Sequence, residues 1–258
     1  MSEEVGADRN EEPARPVLCL SIAAPAYNEA FGIENTLSEW RGFLSRNEEI
    51  GRFEIVICDD GSTDGTGDIL ERLSAGAHEV RLVRFEKNRG AAAALTAAIK
   101  ATRNAWVLLI DSDGQFPIHN LPRMIEALQR TGAIAAIGVR RKNDAAFARF
   151  GTWSSGALCN LIHGSKLRDF NSAFKLVPGP LLRELTLEAR GMNYSTEITS
   201  RLLERGVTFA EVEIDHRSRE SGRSKMAFVR GAIHRFLFVT YVAMRQLLIR
   251  AKVLVRPS

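Results

Sequence analysis

Long hydrophobic runs are missing from this sequence. No stretch approaches the roughly 18 apolar residues that a membrane-spanning helix needs, and the run Phe236 to Met244 near the C-terminus is too short. Cysteine is scarce. Cys19, Cys58 and Cys159 are an odd number without C-x-x-C spacing, which argues against a disulfide framework or a zinc ribbon. Cys19 and Cys58 lie in apolar, strand-like runs and are expected as buried free thiols in a reducing compartment. Aromatic residues make up only 7%. The strand-like runs are aliphatic, whereas sheets that bind RNA stack bases on exposed aromatics, so nucleic acid is not an expected partner. Residues 1–16 are polar and acidic without an apolar core, and read as a disordered tail rather than a signal peptide. There is no internal repeat.

What remains is an ordinary globular balance: 258 residues, 45% hydrophobic and 26% charged. The net charge of +4 mildly favours an anionic ligand or surface. Strand-like runs at 17–24, 53–58, 80–85, 106–110 and 134–139 alternate with helical stretches at 29–45, 64–75, 90–102 and 118–130. Such alternation predicts an α/β fold with a mostly parallel central sheet and helices on both faces. Ligands bind such sheets at the carboxyl ends of the strands. Polar clusters fall at those ends: Pro25-Ala-Tyr-Asn-Glu29, Asp59-Asp-Gly-Ser-Thr-Asp-Gly-Thr66, Asn88-Arg-Gly90 and Asp111-Ser-Asp-Gly-Gln115.

In an extended segment Asp111, Asp113 and Gln115 point the same way. Two carboxylates and an amide oxygen are hard donors suited to Mg²⁺ or Mn²⁺, with room left for substrate phosphates. The alternative is a solvated acidic turn. The segment 60–71 also matches a calcium-loop pattern, but a β-run precedes it where an EF-hand needs a helix. The plainer reading is a strand-to-helix turn capped by Thr63 or Asp64. Asn88, Arg89 and Gly90 open a helix whose N-terminus favours an anion, and Arg89 is otherwise a solvated turn cation.

These four clusters, in this order, resemble the nucleotide-sugar half of the family-two glycosyltransferases of GT-A (Rossmann-like) fold. Arg168-Asp-Phe-Asn-Ser-Ala-Phe-Lys175 is similar to that family's D-x-x-S-G-F-K segment, with Ala173 in place of glycine. His216-Arg-Ser-Arg-Glu-Ser-Gly-Arg-Ser-Lys225 is similar to a loop of the branch holding dolichol-phosphate mannose synthases and polyprenyl-phosphate glycosyltransferases. After the acidic triplet, Phe116-Pro117 departs from the acidic stretch of many members.

The resemblance implies an inverting glycosyltransferase that moves a sugar from a UDP- or GDP-linked donor to a polyprenyl phosphate. It implies that Pro25, Tyr27 and Glu29 line the nucleoside pocket, and that Asp59 and Asp60 contact base or ribose. Asp111, Ser112, Asp113 and Gln115 would bind metal and diphosphate. Asp169 is the candidate for a sugar contact or base, or else a turn residue. Glu197 either lines the same site or lies on a helix surface.

Basic residues supply the rest. Arg140, Arg149, Arg217, Arg219, Arg223 and Lys225 are candidates for holding two phosphorylated substrates, since like charges crowded together need a counter-anion. The alternative is a solvated basic loop. Residues 17–225 are expected to form the catalytic domain. Residues 226–258 are read as an amphipathic helix with Arg230, His234, Arg245 and Lys252 in one sector. That helix suits the cytoplasmic face of an anionic membrane as a peripheral anchor. Otherwise it packs on the protein itself or in a homodimer. A glycan or small alcohol as acceptor, and a non-catalytic nucleotide- or calcium-binding module, are the rival functions.

Overall fold

The computed structural model describes residues 17–140, 156–188 and 193–217, together with Phe238, Thr240, Tyr241 and Arg245. Seven strands form one sheet: β1 (Leu18–Ala26), β2 (Ile50–Asp59), β3 (Val80–Arg84), β4 (Trp106–Leu109), β5 (Ala135–Arg140), β6 (Lys175–Pro178) and β7 (Phe209–Ile214). Their spatial order is β3-β2-β1-β4-β6-β5-β7. Every pairing is parallel except those of β6, which runs antiparallel to both β4 and β5. The expected mostly parallel sheet is present, with its strand limits displaced by up to three residues from those read off the apolar runs.

Alternation along the strands sorts side chains to the two faces. Leu20, Ile22, Ile55, Ile57, Leu108 and Ile110 join one core with Leu37, Trp40 and Leu44 of α1 (Ile33–Leu44). Leu70 of α2 (Thr66–Gly76) and Met124 of α4 (Leu121–Thr131) complete it. Ala23, Val56, Cys58, Val107 and Leu109 join a second core on the opposite face. It is filled by α3 (Ala91–Ala101), by α6 (Gly179–Arg183) and by α7 (Tyr194–Glu204). Alanine-rich α3 has high helix propensity and little bulk, so its backbone lies close over β1 and β2. α5 covers residues 156–163.

Two helix starts differ from the sequence reading. α1 begins at Ile33 rather than Glu29, because residues 29–32 form a turn that hands Glu29 N–H to Thr66 Oγ1 at 2.8 Å. The N-cap of α2 is Gly65, at φ 95°, rather than Thr63 or Asp64. β2 precedes this loop, so the calcium-loop context is absent.

α7 departs most from expectation. Ser195, Thr196, Glu197, Thr199, Ser200, Arg201 and Glu204 on it are all buried. A polar helix inside a protein requires partners for its side chains. Here they come from the 170–175 segment and the 188 loop: Thr196 Oγ1 donates to Asn171, and Thr199 Oγ1 to the Phe170 carbonyl.

Of the segment 226–258, Phe238, Thr240, Tyr241 and Arg245 are described, and all are helical. Phe238 packs on the second core, the Tyr241 hydroxyl meets the Glu188 carboxylate, and Arg245 Nη1 lies 2.5 Å from Glu204 Oε2. Arg245, expected to face lipid headgroups, forms an intramolecular ion pair with Glu204 of α7. The expected tail 1–16 lies outside the described residues, as do Arg230, His234 and Lys252. Among the described residues, no helix is long and apolar enough to cross a membrane.

Candidate active site

The antiparallel β6 decides what shares an edge. Its first residue, Lys175, is paired with Leu109 at the end of β4. The carboxyl ends of the six parallel strands and the amino end of β6 therefore lie on one side of the sheet.

The first three loops on that edge are laced together. Asn28, at φ 54°, donates its N–H to Ser62 Oγ at 3.0 Å, and its Oδ1 accepts Thr63 N–H at 2.9 Å. Ala30 N–H reaches Asp64 at 3.1 Å, and Asp60 N–H reaches the Ala26 carbonyl at 2.9 Å. Gly61 is at φ 68°, and a Cβ there would lie 2.5 Å from the Lys87 carbonyl carbon, so only glycine permits the close approach.

Asp60 accepts the N–H groups of Arg89 and Gly90 at 2.7 and 2.9 Å. The anion at the start of α3 is thus the protein's own carboxylate. The helix terminus is thereby capped from within the protein. Arg89 lies over the Phe85 ring, 4.6 Å from its centre, rather than standing as a lone solvated cation.

Asp59 is wholly buried. It accepts Ser62 N–H at 3.0 Å, and its other oxygen lies 3.3 Å from Arg84 Nε. So placed, Asp59 shapes the loop, and its Oδ2 has no hydrogen-bond donor among the described residues. Tyr27 is exposed beside this lacework, and Pro25 and Glu29 are half-buried.

The acidic triplet follows β4. Ser112 donates its hydroxyl to the Pro25 carbonyl at 2.7 Å, tying β4's exit to β1's. Gly114, at φ 72°, turns the chain, and Asp113 Oδ1 accepts Gln115 N–H at 3.1 Å. Asp111 keeps some exposed surface, yet burial pushes its carboxyl up to about 6. The Tyr194 hydroxyl opposes that rise, nearby Asp113 adds to it, and Arg140 and Lys175 oppose it. Tyr194 donates to Asp111 Oδ1. Burial and the same carboxylate hold the tyrosine's own proton far above its usual range.

Among the described residues, no three His, Cys, Asp or Glu side chains form a metal cluster. Asp111 and Asp113 alone are an incomplete shell of hard donors. Their mutual repulsion is what a divalent cation bound with a diphosphate would relieve, so the donor set fits Mg²⁺ or Mn²⁺. Gln115 is placed differently. Its Nε2 is 3.4 Å from the Arg217 carbonyl, and its own carbonyl accepts Arg217 N–H at 2.8 Å. It ties the triplet to the chain beyond β7.

Arg140, a candidate phosphate ligand, and Asp169, a candidate sugar contact or base, pair with each other: Nε–Oδ2 2.8 Å and Nη2–Oδ1 3.0 Å, with the Asp169 carboxylate almost wholly buried. Asp169 thus ties the 169–175 segment to the end of β5. Glu197 does not lie on a helix surface: it is buried, accepts the Glu188 N–H on both oxygens at 3.0 Å, and pairs with Arg201 at 2.9 Å. Lys175 is wholly buried, with Nζ 2.6 Å from Ser195 Oγ and also on the Ser172 carbonyl. Burial draws its ammonium down to about 7, against the pull of Asp169.

Beyond β7, Asp215 meets Arg123 at 2.5 Å and His119 at 3.2 Å, and His216 packs edge-on to Phe116 with ring centres 4.8 Å apart. Arg217 then forks onto Glu39 of α1. Arg149, Arg219, Arg223 and Lys225 lie outside the described residues. Sequence reading missed Tyr194, Lys175 and Glu39. Only Lys175 had a local signal, as the charged end of the Phe-Asn-Ser-Ala-Phe-Lys run.

A parallel sheet with nucleotide-type loops on its first strands and an acidic triplet after the fourth is the architecture of a GT-A transferase. The model of glycosyl transferase family 2 matches residues 21–177, and the chain belongs to that family. It is 26% identical over 215 residues to the undecaprenyl-phosphate mannosyltransferase of Micrococcus luteus, covering 79% of this chain and 85% of that one. It is 24% identical to the dodecaprenyl-phosphate galacturonate synthase of Rhizobium johnstonii, covering 82% of this chain. The match spans 62% of the length of that relative. The fold is shared with glucosyl-3-phosphoglycerate synthase of Mycobacterium tuberculosis, solved with Mn²⁺ and UDP-glucose. That match has TM-score 0.66 and 21% identity, over 90% of this chain and 79% of that one.

Proposed function

We propose that this protein is a metal-dependent, inverting glycosyltransferase that moves a sugar from a nucleoside-diphosphate donor to a polyprenyl phosphate. The observation that carries the reading is the position of Asp111 and Asp113. They stand between the laced loops of β1–β3 on one side and the Arg217 strap on the other. The relatives named as polyprenyl-phosphate transferases support the acceptor class.

In this reading Pro25, Tyr27 and Glu29 line the nucleoside, and the α2 and α3 loops held by Asp59 and Asp60 set the pocket's shape. Asp111 and Asp113 would hold Mg²⁺ or Mn²⁺ together with the donor diphosphate. Such a cation supplies Lewis-acid stabilisation of the leaving diphosphate. Arg217 turns its fork from Glu39 to phosphate, and Arg219 and Lys225 belong to the same basic loop. The acceptor is an anion already. A phosphate monoester near neutral pH carries a charge of about −1.5 to −2. It needs no general base, which agrees with an Asp169 locked onto Arg140. The chain's task is then alignment of a phosphate oxygen with the sugar C1 and exclusion of water. Peripheral contact with an anionic cytoplasmic membrane face through residues 226–258 completes the reading.

The test is release of UDP or GDP from a panel of UDP- and GDP-sugars with Mn²⁺ and a short polyprenyl phosphate, with the product anomer read by NMR. Turnover with the lipid phosphate and none with phosphoglycerate or a simple glycan supports the reading. Turnover with a soluble acceptor alone overturns the lipid assignment. Flotation with anionic vesicles checks the membrane contact.

A further inference from the structure

We infer that Tyr194 is a positioning residue for Asp111: its buried hydroxyl engages one carboxylate oxygen and leaves the other directed at a divalent cation. The inference rests on the metal-dependent reading above and adds a residue from a distant helix. Tyr194 lies 83 positions from Asp111 in sequence, is 4% exposed, and donates to Oδ1. It is the first residue of α7, so the position of its ring depends on how that helix start is held.

The helix start is held firmly. Ser195 Oγ lies 2.6 Å from Lys175 Nζ and 2.5 Å from the Ser172 carbonyl. Thr196 Oγ1 reaches Asn171 at 2.6 Å, and Thr199 Oγ1 reaches the Phe170 carbonyl at 3.0 Å. The 169–175 segment is itself anchored to β5 by the Asp169–Arg140 fork. A continuous chain of buried polar contacts thus runs from β5 through α7 to the carboxylate. Groups that orient a metal-binding carboxylate in this way tune affinity without touching the metal. Asp111 is engaged from α7, and Asp113 accepts Gln115 N–H within the turn at Gly114.

Manganese binding, followed by the electron paramagnetic resonance of free Mn²⁺ with and without UDP or GDP, tests this. The protein is the full chain as wild type, Tyr194→Phe and Ser195→Ala. Tyr194→Phe should raise the Mn²⁺ dissociation constant about 10-fold, the lower end of what loss of an orienting partner costs. In turnover, the Mn²⁺ activation constant should rise in parallel, while kcat at saturating Mn²⁺ stays within about threefold of wild type. Ser195→Ala leaves both Asp111 and Tyr194 intact and should shift affinity the same way by a smaller factor. Wild-type affinity in a folded Tyr194→Phe protein overturns the inference. So does wild-type affinity in folded Ser195→Ala if the phenylalanine variant does not fold. A fall in kcat that no amount of Mn²⁺ restores also overturns it. Wild-type protein that binds no Mn²⁺ yet turns over fully in EDTA overturns the metal reading itself, a result distinct from the other three.

Discussion

Arg217 and Glu39 face each other across 178 residues of sequence, Nη1 2.9 Å from Oε2 and Nη2 3.2 Å from Oε1. The planar fork matches carboxylate and phosphate alike. Both side chains retain solvent, 52% and 34% exposed, so the pair is weak and a diphosphate can displace the carboxylate. Glu39→Gln should therefore lower the donor KM, by about threefold if the released pair is worth ~0.6 kcal/mol. Arg217→Lys keeps charge but loses the fork, and should cost roughly 10-fold in kcat/KM. Initial-rate kinetics over donor concentration distinguish the two, and an unchanged KM in Glu39→Gln rules out the competition.

Asp113→Asn removes one charged donor from a solvent-accessible turn. Turnover should fall at least 100-fold, the scale for losing an electrostatic contact made at the transition state. The melting temperature should hardly move. EDTA should silence wild type, and Mn²⁺ or Mg²⁺ should restore it. Nucleoside-diphosphate release and thermal melting are read side by side, and full activity in EDTA removes the metal from the reaction.

Asp169→Asn separates scaffold from base. Breaking a buried ion pair by deleting one charge costs about 3–5 kcal/mol, because the partner is left uncompensated. Chemical denaturation should show that loss, and Asp169→Leu combined with Arg140→Leu should recover much of it. A base would behave oppositely: stability kept, kcat lost.

Lys175 makes stability depend on pH. Its folded value is about 7 against an ordinary 10.5, because burial disfavours the ammonium. Between those values the unfolded chain holds a proton that the folded chain lacks. Stability is therefore full above 10.5 and declines as pH falls toward 7. From pH 9.5 to 7.5 the loss should be roughly 2–3 kcal/mol, since one proton contributes about 1.4 kcal/mol per pH unit. Lys175→Met should flatten that slope in urea melts at the two pH values. An equal slope in both proteins would mean that Lys175 stays charged.

The sheet's first half was legible because its signals are local. Aliphatic runs such as Phe53–Cys58 end in clusters such as Asp59-Asp60-Gly61, and each cluster marks a strand's carboxyl end. β6 and β7 were not legible. Lys175-Leu-Val-Pro178 begins with a charge and ends in proline, and its place between β4 and β5 depends on pairing rather than pattern. Among site residues, Asp111 and Asp113 were readable from spacing. The Arg140–Asp169 and Tyr194–Asp111 relationships were not, since each joins segments distant in sequence whose own neighbourhoods look like turns or solvent-facing helix. Charge alone did not reveal these pairings either: Arg140, Arg217 and Arg245 all meet carboxylates of the same chain.

The insertion of β6 between β4 and β5 sets an order of assembly. The ribosome delivers β1 to β4 first, and these strands pair with one another, leaving only β4's β6-facing edge to be filled later. β5 arrives next but has no seat, because its neighbours β6 and β7 lie later in the chain. The β1–β4 half of the sheet can therefore condense early, through short-range parallel units with intervening helices. The half formed by β5 to β7 waits for residues 175–178. Until then β4 exposes one unpaired edge and β5 both of its edges, and these are open templates for wrong pairing. A pause in translation once Pro178 has left the ribosome would shorten that vulnerable interval, by letting β6 dock against β4 and β5 before β7 emerges.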